Sequence, residues 1–102
     1  GIGQAIARRL TAEGAVVGIF DINGQAAESA ARKLRDNGGK ASSHEVDIVD
    51  YAAVEFAVDA FEAVAGPVSG LVNNAGWDKA VRFVDSDWDL RRKVIDINLW
   101  GP

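Results

Sequence analysis

The sequence predicts an α/β protein in which helices cover both faces of a doubly wound parallel sheet. Short apolar runs typical of buried strands alternate with stretches whose apolar residues recur three or four apart, as in amphipathic helices. This alternation favours right-handed strand–helix–strand units. A third observation concerns function: polar residues or glycines stand where the predicted strands end, and parallel sheets bind ligands at that edge.

The chain begins with a helix and a strand. Apolar residues at helical spacing predict a helix over roughly residues 3–13, which Gly14 ends as a glycine C-cap does. Residues 15–20 form a short apolar run rich in β-branched residues, which predicts a buried strand. That strand places the carboxylate of Asp21 at its carboxyl end.

Two further helices flank a weaker strand. Asn23 can cap a second helix whose alanine-rich face suits close packing on a sheet. Residues 40–46 predict a polar strand at a sheet edge, and Asp47-Ile48 follows it. Asp50 can cap a third helix, which Gly66-Pro67 ends.

The last third of the chain predicts one strand and one helix. Residues 68–73 form the strand, and it runs directly into Asn73-Asn74-Ala75-Gly76. A loop with Trp77 comes next. The final helix can be capped within residues 85–87, and its apolar stripe carries one amide. The residues on this stripe are Leu90, Val94, Ile97 and Asn98.

Composition excludes several classes of partner. Eleven Lys and Arg against fifteen Asp and Glu give a net charge of -4, with no basic stripe for nucleic acid. No apolar run approaches the ~20 residues that span a bilayer. The absence of cysteine excludes disulfides and fits a cytoplasmic protein. The single histidine, His44, cannot hold a metal alone, so we expect no metal site and place His44 at the surface.

Two features together suggest a dinucleotide. The first helix opens on Gly1-Ile2-Gly3, and a pyrophosphate can approach the free N–H groups of a helix that starts with glycines. Asp21 lies eighteen positions after Gly3, which matches the ~20-residue offset of a ribose-binding acid. Each feature alone is also compatible with an ordinary turn.

The order and spacing of five segments resemble the cofactor-binding half of the short-chain dehydrogenases/reductases. They are Gly1-Ile2-Gly3, Asp21, Asp47-Ile48, Asn73-Asn74-Ala75-Gly76 and Asn98-Leu99-x-Gly101. The resemblance implies a Rossmann-like doubly wound parallel sheet that lacks its first strand and its C-terminal half. Residues 1–102 would then be part of the dinucleotide-binding domain of a single-domain enzyme.

The resemblance also implies roles for these residues. Gly1, Ile2 and Gly3 end a glycine-rich loop near the pyrophosphate and nicotinamide, and Asp21 with Ile22 lies at the adenosine ribose. Asp47 and Ile48 flank the adenine, whereas the ribose side of the cofactor is lined by Asn74, Ala75 and Gly76.

Asn98 is the one catalytic candidate. In the family this asparagine holds a helix bend and a water that relays protons to a catalytic Lys. The alternative is structural, because an amide on an apolar stripe usually satisfies nearby backbone groups.

The chain departs from the family pattern in its catalytic group. The family uses a Ser, a Tyr and a Lys four residues after the Tyr, but the only tyrosine here, Tyr51, has Glu55 at that place. In the strand order 3-2-1-4 the missing first strand lies between residues 15–20 and 68–73. We therefore expect these two strands to remain unjoined.

The resulting hypothesis is an NAD-dependent oxidoreductase, with NADP less favoured. It transfers hydride between nicotinamide and a secondary alcohol or hydroxyacyl substrate, and the resemblance implies a dimeric or tetrameric homo-oligomer. Trp77-Asp78 is similar to the alicyclic hydroxyacyl-CoA dehydrogenases of this family. Two alternatives stay open: an NADPH-dependent reductase of 3-oxoacyl thioesters, and a non-catalytic nucleotide-binding regulator.

Overall fold

Helices and strands alternate along the first two thirds of the chain. The computed structural model describes residues 1–102. The helices are α1 (Ile2–Ala12), α2 (Gly24–Asp36), α3 (Tyr51–Ala65) and α4 (Trp88–Ile95), and the strands are β1 (Val16–Asp21) and β2 (Lys40–Glu45). A 3₁₀ turn, Phe83–Asp85, precedes α4, and a π-helical turn, Asp96–Trp100, follows it. These bounds confirm the four predicted helices and the first two strands.

Three of the four helices begin at a side-chain cap that the sequence identifies. The Oδ1 atoms of Asn23 and Asp50 each accept from a backbone N–H three residues later, at 3.1 Å. Asp87 does the same for the N–H of Leu90 at 2.7 Å. These bonds satisfy backbone donors that a helix start leaves free, so local sequence determines where α2, α3 and α4 begin.

The two strands pair in parallel, and α2 connects them. Their register runs from Val16 opposite Lys40 to Asp21 opposite Glu45. Helix α2 covers this pair with a buried face of small residues and one leucine, namely Ala27, Ala30, Ala31 and Leu34. Alanine allows the helix to approach the sheet closely, which explains why the predicted alanine face is the best buried surface in the molecule.

His44 is half-buried, and its prediction as a surface residue is wrong. Its ring lies 4.9 Å from that of Phe20 in β1 and 6.1 Å from that of Phe61 in α3, measured between centroids. Ser42 Oγ lies 3.0 Å from His44 Nε2. Burial lowers the pKa of His44 below its usual 6.5, because the charged imidazolium loses solvation there. His44 therefore belongs to an aromatic cluster with Phe20 and Phe61, although the sequence around it in β2 is polar.

Residues 66–82 form neither helix nor strand, so the predicted strand over residues 68–73 is not observed as one. A strand needs a partner for its N–H and C=O groups, and no backbone hydrogen bond joins this segment to β1. The expectation that these two segments remain unjoined is confirmed. Leu71 and Val72 are 77% and 51% exposed, although their sequence suits a buried strand.

The accessible surface of the chain is large, as expected when the segment 68–73 does not pair with β1. It amounts to 7562 Å², and only seven residues are buried. A folded monomer of this mass exposes about 5,500 Å². Exposed large apolar side chains contribute to this surface, among them Ile2, Leu71 and Phe83. None of the helices is both long and apolar enough to cross a bilayer.

Candidate functional site

The N-terminus of α1 is the one helix start without a side-chain cap. Its N-cap is Gly1, which has no side chain to offer, whereas α2, α3 and α4 are all capped by Asn or Asp. The N–H groups of the first turn are therefore free to bind an anion, assisted by the positive end of the helix dipole. Gly1, Ile2 and Gly3, the residues that the sequence predicts at a pyrophosphate, form this start.

Asp21 and Asp47 end their strand regions in the same local geometry. Asp21 Oδ1 accepts from the N–H of Asn23 at 2.9 Å, and Asp47 Oδ1 accepts from the N–H of Val49 at 3.1 Å. Each bond fixes the carboxylate over the turn that follows. Neither carboxylate has a Lys or Arg nitrogen within 4.0 Å, so both retain an unpaired negative charge.

Asn74 lies directly against the start of α1. A Cβ atom at Gly3 would lie 2.6 Å from Asn74 Nδ2, which is closer than real side chains approach. Gly3 is therefore needed for this contact. The structure thus brings together two segments that are 71 residues apart, as expected if both contact one ligand. Ala75 follows in the same exposed segment.

Asn98 joins the π-helical turn to the backbone that follows Asn73–Gly76. Its Nδ2 donates to the carbonyl of Trp77 at 2.6 Å and to that of Val94 at 2.9 Å, while its Oδ1 accepts from the N–H of Trp77 at 3.1 Å. A Cβ atom at Gly76 would lie 3.0 Å from the same Oδ1. The amide therefore holds the loop in place, and π-helical turns are frequent at functional sites.

A cleft of about 290 Å³ lies between the two strand ends and α4. It brings Ile22 and Asp47 together as predicted. Ile48 lies beside it, since a Cβ atom at Gly101 would lie 2.9 Å from Ile48 Cδ1. The remaining residues of the cleft are Val49, Asp89, Arg92, Lys93, Asp96 and Ile97.

Two residues near the candidate site, Lys93 and Glu45, were not identified from the sequence. Lys93 places its ammonium 3.9 Å from the ring centroid of Trp77, a cation–π contact that holds the indole beside the Asn98 bridge. Glu45 lies against Gly24 at the start of α2. The alternation of side chains along β2 could have placed Glu45 on the α2 side, but only the register of β1 and β2 sets it opposite Asp21. No group of His, Asp and Glu residues suited to a metal ion is present.

The chain is an α/β protein with a parallel strand pair, a start of α1 without a side-chain cap, and polar residues after its strands. The sequence model described as short chain dehydrogenase matches residues 1–102, and the chain belongs to that family. This match confirms the predicted resemblance to the family. Members of the family are oxidoreductases that bind nicotinamide cofactors.

Several known proteins are similar to the chain. The uncharacterized oxidoreductase YxbG of Bacillus subtilis is 37% identical over 102 residues, which cover 99% of this chain and 37% of that protein. D-threitol dehydrogenase of Mycolicibacterium smegmatis is 36% identical over 104 residues, with 99% and 39% covered. The chain therefore spans less than half the length of these relatives.

Solved structures agree in fold. A gluconate 5-dehydrogenase from Burkholderia cenocepacia, in complex with NADP and tartrate, superposes with a TM-score of 0.88 at 37% identity. The match covers 99% of this chain and 40% of that one. A short-chain dehydrogenase/reductase variant from Serratia marcescens gives a TM-score of 0.90 at 31% identity, with 99% and 42% covered. The Rossmann-like fold predicted for the chain is confirmed.

Proposed function

We propose that residues 1–102 are the cofactor-binding part of an NAD-dependent dehydrogenase that acts on a secondary alcohol or a hydroxyacyl substrate. The catalytic Ser, Tyr and Lys would lie in residues outside this chain, in the longer protein hereafter called the full-length enzyme. Relatives named as dehydrogenases support the reaction class. When bound, the nicotinamide supplies the hydride acceptor or donor.

The residues of the chain would bind and orient that cofactor. Free N–H groups at the start of α1 face the pyrophosphate, and Asp21 accepts hydrogen bonds from the adenosine ribose. Asp47 and Ile48 flank the adenine. The contact of Asn74 with Gly3 supports a continuous surface for the ribose side of the cofactor, to which Ala75 and Gly76 also belong.

The observation that carries the preference for NAD is the unpaired carboxylate of Asp21. It would accept from both ribose hydroxyls and repel a 2′-phosphate. Its neighbours Phe20, Ile22 and Asn23 supply no cation to offset that repulsion. NADP is the competing candidate, because the structurally similar gluconate 5-dehydrogenase is in complex with NADP.

Asn98 would assist turnover by positioning. Its amide spans both backbone groups of Trp77, and this geometry supports a role in holding the loop next to the reacting centre. Its membership in the π-helical turn further supports the proton-relay role that the family resemblance implies.

The cofactor assignment is tested by Asp21→Ala in the full-length enzyme. Loss of a charge-assisted hydrogen bond costs about 1.5–3 kcal/mol, so NAD(H) affinity should fall by roughly one to two decades, measured by fluorescence titration. Asp59→Ala is the control, since Asp59 is an exposed carboxylate on α3. Equal or better use of NADP(H) by the unmutated enzyme would overturn the assignment.

We further propose that the full-length enzyme is a cytoplasmic homo-oligomer, either a dimer or a tetramer. Light scattering on the purified full-length enzyme measures this directly. A monomeric mass at micromolar concentration would exclude it.

A further inference from the structure

Two carboxylates contact the same short turn. Asp21 and Glu45 are register partners at the ends of β1 and β2. The turn over residues 22–24, whose last residue opens α2, leads from β1 into that helix. Asp21 Oδ1 accepts from the N–H of Asn23 at 2.9 Å. A Cβ atom at Gly24 would lie 2.5 Å from Glu45 Oε2 and 3.1 Å from Glu45 Cβ. The Glu45 side chain therefore lies across the start of α2, over the residue that follows Asn23.

The carboxylate of Glu45 has no direct partner, although Arg32 and Lys33 line the same surface groove. No Lys or Arg nitrogen lies within 4.0 Å of its carboxylate, and no side chain or backbone group donates a hydrogen bond to it. The neighbouring carboxylate of Glu28 differs, because it accepts from Ser43 Oγ at 2.5 Å and from Arg35 at 2.6 Å. Glu45 thus adds a second free negative charge to the turn that Asp21 already marks.

We propose that Glu45 is a second determinant of cofactor choice, which acts with Asp21 to exclude a 2′-phosphate from the turn over residues 22–24. This inference rests on the proposed function. A 2′-phosphate carries about two negative charges, whereas the 2′-hydroxyl of NAD is neutral. Repulsion by Glu45 therefore acts against NADP and leaves NAD binding nearly unaffected.

The expected effect is smaller than that of Asp21, because Asp21 contacts the ribose in the proposed binding mode and Glu45 does not. Glu45 is also exposed. Interactions between exposed charges are weakened by water and decay over about 8 Å at physiological ionic strength. The contribution of Glu45 should therefore decrease as salt is added. A role in packing alone would not show this salt dependence.

The test compares kcat/KM for NADP and NAD in the full-length enzyme and its Glu45→Gln variant. We expect the ratio of NADP to NAD use to rise about three- to tenfold at low ionic strength, and the rise to shrink at high salt. Charge reversal in Glu45→Lys should raise the ratio further. Glu55→Gln is the matched control, because it removes one exposed carboxylate from α3, away from the turn.

An unchanged ratio in Glu45→Gln and Glu45→Lys, or an equal change in Glu55→Gln, would overturn the role of Glu45. A rise that is independent of salt would also overturn it. Preference of the unmutated enzyme for NADP is a different result, since it overturns the proposed NAD preference itself. Gln is nearly isosteric to Glu, so the substitutions to Gln should leave the fold intact. Melting temperatures of all variants check that the ratios are measured on folded proteins.

Discussion

Residues 1–65 and residues 66–102 differ in how they are held. All seven buried residues lie in the first region: Ala7, Ala27, Ala30, Ala31, Leu34, Val46 and Ala57. The second region has none, and several of its large apolar side chains are exposed, among them Leu71, Phe83, Trp88 and Trp100 at 70% or more. Helix α2 and the strand pair form a small core, whereas α4 contacts mainly its own flanking turns.

The contacts that do hold the second region are polar and local. Asn98 bridges to Trp77, and Arg91 stacks over Phe83 at 4.1 Å while it donates to backbone carbonyls. The contacts that connect the regions include Asn74 with Gly3 and Ile48 with Gly101. The carboxylate of Glu62 also accepts a hydrogen bond from the N–H of Val68 at 2.9 Å. Residues of the candidate site can therefore be held in place where a hydrophobic core is absent. Their geometry depends on packing that these 102 residues do not supply.

The largest expected effect concerns the 102-residue chain on its own. We expect no cooperative thermal transition, because the apolar segment 68–73 has no strand partner. We also expect no dehydrogenase activity, because the chain lacks the catalytic Ser and the Tyr-x-x-x-Lys pair of the family. Whole domains are stable by only about 5–15 kcal/mol, and the loss of a central strand exceeds that margin. Calorimetry and an NAD-reduction assay provide the measurements. A cooperative melt would show that the 102 residues form a stable core without a partner strand for the segment 68–73.

Asn98→Ala in the full-length enzyme addresses the polar bridge in the second region. We expect kcat to fall by about tenfold or more while NAD(H) affinity is nearly unchanged, since the loop at Trp77 loses its anchor. Asn37→Ala is a matched control, because its Nδ2 also donates to a carbonyl four residues earlier, at 3.0 Å.

The purely structural role of Asn98 predicts a different pattern. It predicts a stability loss of about 1–3 kcal/mol with kcat retained in the folded fraction. Measuring melting temperature and kcat on the same preparation separates the two roles. Intact kcat would remove Asn98 from the proposed catalytic machinery.

The smallest expected effect lies in the first region, at His44. Its pKa is lowered by burial, so the unfolded state binds its proton more readily than the folded state does. The stability that neutral His44 contributes is therefore present above pH 6.5 and is lost as pH falls below that value. His44→Phe should reduce the loss of melting temperature between about pH 7.5 and about pH 5.5.

Ser42→Ala serves as the control for His44, because it removes the hydroxyl at 3.0 Å and keeps the titrating ring. It should retain the acid sensitivity of the unmutated enzyme. Equal acid sensitivity in His44→Phe would show that the aromatic cluster does not depend on the charge of the histidine.

The features that could be predicted from sequence are those set by neighbours in the chain. The caps at Asn23, Asp50 and Asp87 depend on residues three positions later, and all three are observed. Features that depend on pairing between elements could not be predicted. The burial of His44 requires both Phe20 and Phe61, and the contact of Glu45 requires the register of β1 and β2.

The residues of the candidate site also separate into those that local sequence identifies and those that depend on contacts between distant segments. The glycine opening of α1, Asp21 and Asn74 could be identified from spacing and resemblance. The bridge from Asn98 to both backbone groups of Trp77 could not, because it spans 21 residues and depends on the π-helical turn.

We expect residues 68–73 to form a strand once a partner strand is present. Amide hydrogen exchange of the full-length enzyme tests this most directly, because strand hydrogen bonds slow exchange. We predict that peptides covering 68–73 exchange as slowly as those covering β1, and more slowly than those covering 77–82. Exchange of 68–73 at the rate of the 77–82 loop would contradict the account.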